Sequence, residues 1–154
     1  GFWQGMEAAY SAISQARRPG APLYIVAHSL GAAHAADFLA LNRLAGAPSV
    51  SSTLLLGCPR PGTATLAEFL ASETITSLRN WGGEFDHDPV TDVPPDVPLA
   101  RFTPVRGYLD VNAPPATDDE WGDVLARHHA ELYWQGWLAL QQAATERPTL
   151  VPVK

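Results

Sequence analysis

The chain has a single cysteine, Cys58, among its 154 residues. No intrachain disulfide can form and no cysteine-based zinc site can be assembled, which leaves the compartment open, cytoplasmic or secreted. Positive charge is also scarce: 10 Lys and Arg stand against 16 Asp and Glu, for a formal charge of −6. The one tight basic pair, Arg17-Arg18, sits at an expected helix end, so nucleic acid is not an expected partner. No run approaches the roughly 18 apolar residues needed to cross a bilayer, so no transmembrane segment is expected. A glycine-rich phosphate loop after the first strand is missing as well, which counts against a nucleotide-binding domain. No cofactor is implied.

What is present describes a globular protein, with 46% hydrophobic and 17% charged residues. By length, residues 1–154 form one domain with room for a real core. Phe2, Met6, Ala9, Tyr10, Ile13 and Ala16 recur at helical spacing, and Pro19-Gly20 stops that helix. The helical pattern opens directly at Gly1-Phe2-Trp3, without an initiator methionine or a basic leader, and a piece of a longer product is the expectation.

Strands are expected over residues 23–27, 51–57 and 74–78, with one or two more within 101–110. Helices are expected over 30–45 and 63–71, and a last one over 119–144. Residues 81–98 carry glycines, acids and four prolines and should form a long structured loop, the kind that in compact domains is usually functional. Alternating strands and helices imply an α/β fold: a mostly parallel sheet with helices on both faces. Ligands bind such sheets at the carboxyl ends of the strands.

The most informative segment is Ala27-His28-Ser29-Leu30-Gly31, set between the apolar run Leu23-Tyr24-Ile25-Val26 and an alanine-rich helix. In a strand-turn-helix of this kind the serine hydroxyl is pushed out above the strand end, small neighbours allow close passage, and the next N–H points where an oxyanion would form. Ser29 as an ordinary helix N-cap is the competing reading.

A serine alcohol is a weak nucleophile and needs an imidazole to take its proton and a carboxylate to orient that imidazole. Asp88, in Asp86-His87-Asp88-Pro89-Val90, and the pair His128-His129 supply those types in the order Ser, Asp, His. Asp86 competes with Asp88 as the acid, and His129 with His128 as the base. A metal site built from Asp86, His87, Asp88, His128 and His129 matches no familiar ligand spacing. His28 is expected to pack beside the turn, and His34 to be a structural residue of the following helix. Trp81 and Phe85, beside Asp88 in sequence, are candidates to line an apolar substrate site.

These segments together resemble the fungal-type class 3 lipases. The resemblance lies in Gly1-Phe2 opening a helix, the His28-Ser29-Leu30-Gly31 elbow, and Gly57-Cys58-Pro59-Arg60-Pro61-Gly62 at a strand end. It continues in Asp88-Pro89-Val90-Thr91-Asp92-Val93-Pro94 and in His128 followed five positions later by Tyr133. It implies a partial α/β-hydrolase fold and a serine ester hydrolase acting on acylglycerols or related esters. Ser29 would be the nucleophile, Asp88 the orienting acid, His128 the general base and the Leu30 N–H one oxyanion donor, with Arg60 structural.

The family's upstream strands, its second oxyanion donor and its lid have no counterpart in the sequence. Leu23-Tyr24-Ile25-Val26-Ala27 would then be an apolar sheet edge able to pair with another chain. A lipase-like binding or scaffold module with impaired turnover is the alternative function.

Overall fold

In the computed structural model of the chain, the described residues are 2–84, 86–97, 100–114 and 125–145. The fold is α/β, with a mostly parallel sheet flanked by helices. In chain order the elements are α1 (Phe2–Ala16), β1 (Tyr24–His28), α2 (Leu30–Leu44), β2 (Ser52–Leu56), α3 (Ala64–Phe69), β3 (Ile75–Gly83), β4 (Asp86–His87), a 3-10 turn (Pro89–Asp92), β5 (Tyr108–Val111), a second 3-10 turn (Ala126–His128) and α4 (Ala130–Thr145). β1 pairs parallel with β2, β2 with β3, and β3 with β5, while β4 folds back antiparallel on the end of β3.

Side chains alternate across a strand, so neighbouring leucines of β2 serve different layers. Leu55 enters the core made with α1 and α2, where Ala32, Ala35, Ala36, Phe38 and Leu39 are buried and Ile25 and Ala27 pack from β1. Leu54 and Leu56 face the other way, toward Leu78, Val111 and Tyr133, with Trp137 and Leu140 of α4. The alanines of α2 explain its position: three of them, Ala32, Ala33 and Ala36, are fully buried, and short side chains let the helix lie close on the sheet.

Three boundaries differ from the sequence expectation. β3 does not stop near Leu78 but runs to Gly83, because β4 provides a partner for Trp81 and Gly83. Within 101–110 the strand is confined to the end, Tyr108–Val111. The last helix begins at Ala130; extended backbone at His129 (φ −64°, ψ 130°) separates it from the Ala126–His128 turn. Residues 119–124 of the expected helix lie outside the described residues.

β1 is at one end of the strand order. On the face away from α1 and α2, its Tyr24 and Val26 are 66% and 70% exposed. No helix among the described residues is long and apolar enough to cross a membrane.

Candidate active site

The parallel strands point their carboxyl ends at one edge of the sheet, and Ser29 lies there, immediately after β1. Its N–H donates to the Leu56 carbonyl (3.0 Å), which carries the β1–β2 ladder one residue further. The chain then turns into α2 with Ser29 at φ 57° and ψ −131°. It is the non-glycine residue with positive φ among those described. Backbone of this kind costs on the order of 1–3 kcal/mol and persists only where surrounding structure holds it. The Ser29 side chain makes no capping bond to α2. Its hydroxyl is instead 2.7 Å from Nε2 of His128.

Nδ1 of His128 lies 2.7 Å from Oδ2 of Asp88. Because a carboxylate oxygen accepts, Nδ1 carries the proton there, and Nε2 is left to accept from the Ser29 hydroxyl. Asp88 is completely buried. Its N–H donates to the Asn80 carbonyl (2.9 Å), its Oδ1 accepts from the Val90 N–H (2.8 Å), and its Oδ2 also accepts from the Tyr133 hydroxyl. Pro89, with its φ already suited to a helical start, follows in the first position of the 3-10 turn. The carboxyl thus has its direction set from several sides before His128 meets it.

Gly57, at the end of β2, makes this cluster sterically possible. It has φ +54°, and a Cβ there would stand 2.6 Å from Oδ2 of Asp88 and 3.0 Å from both Nδ1 of His128 and the Tyr133 oxygen. Tyr133 is itself fully buried. Its oxygen accepts from the Asn80 N–H (3.2 Å) while its proton goes to Asp88. Burial, and then the nearby Asp88 charge, push its phenol well above the usual range.

The competing residues of the sequence reading are placed elsewhere. Asp86 forms a two-pronged ion pair with Arg127. Asp92 bonds both Arg60 (3.0 Å) and His87 (2.6 Å), which gives Arg60 the structural pairing expected of it. His28 lies against His128, with ring centroids 4.5 Å apart. Its Nε2–H donates to the His128 carbonyl at 2.7 Å. His129 is exposed at the rim, and His34 stays within α2, its ring beside Gly5. Among the described residues no group of three or more His, Cys, Asp and Glu side chains is arranged to hold a metal.

A cavity of about 280 Å³ opens beside the histidine, lined by His28, Leu125, His128, His129 and Ala130. Trp81 is not part of its wall. Its ring is taken up by stacking on His87, with centroids 4.7 Å apart, and by the Arg79 guanidinium 4.1 Å from its centroid. Phe85 lies outside the described residues. Leu30, the first residue of α2, is half-exposed, and its N–H is among the first-turn donors that an α-helix leaves without an internal acceptor.

The side chains that hold the site and went unassigned in the sequence are Asn80 and Arg127; Tyr133 entered only as a spacing. Asn80, fully buried, bonds the Ala113 carbonyl (3.0 Å), the Arg127 carbonyl (3.2 Å) and the Ala113 N–H (3.1 Å) through its side chain. An amide residue just past a β-branched strand, Thr74 to Leu78, was the available signal.

Such an arrangement can move a proton from an alcohol to an imidazole and hold the resulting imidazolium beside a carboxylate. No protein-family model matches the chain, and no curated protein matches it significantly in sequence.

Proposed function

We propose that the protein is a serine ester hydrolase of the class 3 lipase type, working through an acyl-enzyme. The observation that carries this reading is the continuous hydrogen-bonded line Ser29–His128–Asp88, two bonds of 2.7 Å each, with the serine in a strained turn and its side chain making no capping bond. Ser29 Oγ attacks the ester carbonyl as His128 Nε2 takes its proton. The Leu30 N–H stabilises the oxyanion, and the imidazolium then protonates the departing alcohol. Water, deprotonated by His128, releases the acid and restores Ser29.

The cavity beside His128 is just below the range of about 300–1,000 Å³ usual for small-molecule sites. With Leu125 and Ala130 in its wall, it suits a short uncharged acyl or alcohol group. The test is reaction with a fluorophosphonate probe, read by peptide mapping, together with cleavage of short p-nitrophenyl esters. Modification at Ser29, lost in Ser29→Ala, is expected; a folded chain left unmodified would sink the reading.

A second reading, a lipase-like module that binds without turnover, draws on the exposed Tyr24 and Val26 of β1. An edge strand with such residues is a template for pairing with another chain. Stoichiometric acylation of Ser29 would count against it.

A further inference from the structure

Two residues before Asp88, the same extended segment carries a second acid that grips the residue next to His128. Residues i and i+2 of an extended chain face the same side, so Asp86 and Asp88 reach the turn Ala126–His128 together: Asp88 takes His128 and Asp86 takes Arg127. We propose that the Asp86–Arg127 ion pair is a positioning clasp, which fixes the turn so that the adjacent His128 meets Ser29 and Asp88 at once. The inference rests on the hydrolase reading for its kinetic consequence, though not for its geometry.

Three observations carry it. Arg127 is only 7% exposed, and its nitrogens are all engaged. Nε and one terminal nitrogen hold the two oxygens of Asp86, while the other reaches Asn112 Oδ1 (3.2 Å), Asn80 Oδ1 (3.3 Å) and the Ala113 carbonyl (3.4 Å). A planar guanidinium used on both edges fixes orientation as well as distance, which a lysine ammonium cannot do.

Second, Asn80 joins the clasp to the acid. Its side chain bonds Arg127 and its main chain bonds Asp88, so the arms carrying base and acid refer to one buried residue of β3. Third, the fold keeps space for the ion pair. A Cβ on Gly82 would stand 2.4 Å from an Arg127 nitrogen and 2.5 Å from Asp86 Oδ2. Gly57 leaves the same kind of space beneath the Asp88–His128 bond.

Asp86→Asn and Gly82→Ala test the clasp without touching Ser29, Asp88 or His128. Asp86 is a largely exposed side chain, 61% accessible, so its replacement opens no cavity in the core. Circular dichroism checks the fold of each variant. Misplacing a catalytic group by about 1 Å costs on the order of 10²-fold. A fall in kcat of about 10- to 100-fold is therefore expected, with KM for a short ester changed less than about twofold.

The proton between His128 and Asp88 is expected at low field in the NMR spectrum, assigned by its loss in Asp88→Asn and its persistence in Tyr133→Phe, because Tyr133 also donates to Asp88 Oδ2. That signal should weaken or vanish in Asp86→Asn and Gly82→Ala. Unchanged kcat and an unchanged resonance in the two folded variants would overturn the clasp. Failure of the wild-type chain to label at Ser29 strikes the hydrolase reading alone, because the resonance still decides the positioning role.

Discussion

His28 and His128 are stacked with ring centroids 4.5 Å apart, and His28 also donates from Nε2 to the main-chain carbonyl of His128 at 2.7 Å. The residue before Ser29 therefore holds the backbone of His128, tying the end of β1 to the turn before α4. That bond requires a proton on Nε2, which the neutral ring supplies.

Burial is the main reason the His28 pKa lies below its ordinary value, followed by the opposing effect of the backbone bond. A folded pKa below the unfolded one, about 6.5, means that the unfolded chain binds the extra proton first. The stability contributed by neutral His28 is complete above about pH 6.5 and falls as pH drops through the window beneath it. His28→Phe, which keeps an aromatic ring but not the bond, should cost about 1 kcal/mol at pH 8. It should also flatten the decline between pH 6.5 and 5. Urea denaturation at pH 8, 6.5 and 5 measures both; a variant with an unchanged pH slope would refute the assignment.

Ser29 combines a hydroxyl bonded to His128 with an unfavourable backbone, φ 57° and ψ −131°. Ser29→Ala removes the hydroxyl and keeps the strain, whereas Ser29→Gly removes both. Both variants should lose ester cleavage and probe labelling. Ser29→Gly should nonetheless be the more stable by about 1 kcal/mol, because glycine alone adopts such a conformation readily. Thermal unfolding of the two variants side by side checks the order, and equal midpoints would contradict it.

The order of elements and the Ser29 turn were legible because local rules govern them: an apolar β-rich run, then small residues, then helical spacing. Local rules alone did not separate Asp86 from Asp88; only the resemblance of Asp88-Pro89-Val90 to a family motif favoured Asp88. Both are acids in one short segment, and only the packing of the Ala126–His128 turn against β3 assigns one to Arg127 and the other to His128. His128 itself was read as part of a long helix. Its place in a separate 3-10 turn follows from long-range bonds to Ser29, Asp88 and His28 that no local pattern encodes. Asn80, just past the expected 74–78 strand, went unassigned for the same reason. Its partners are 33 and 47 residues away.

Tyr133 places one oxygen between the Asn80 N–H and Asp88 Oδ2 in the interior. Tyr133→Phe leaves the ring in place but takes the acceptor from the buried Asn80 N–H, while Asp88 Oδ2 keeps its bond to His128. An unsatisfied buried group costs about 1–3 kcal/mol, so a loss of that order is expected from equilibrium denaturation. The rate should fall as well, since Asp88 loses one of the contacts that aim it at His128. A stability change below about 0.5 kcal/mol would show that the hydroxyl is dispensable.

Cys58 follows Gly57 on the strand end beside the site, yet it is 1% exposed. Burial pushes its thiol pKa up to about 12. The thiolate is the reactive form, so both access and ionisation protect it. In native protein at pH 8 a disulfide exchange reagent such as DTNB should report almost no thiol over minutes. After unfolding in guanidinium it should report one equivalent, because the chain holds one cysteine. The rate in native protein then reads how often the strand end opens. Gly57→Ala, with φ +54° and its Cβ driven toward Asp88 and His128, should raise that rate, while a surface change such as Leu44→Ala at the exposed end of α2 should affect it far less. Rapid stoichiometric reaction of the native wild-type thiol would contradict the packing around Gly57 and Cys58.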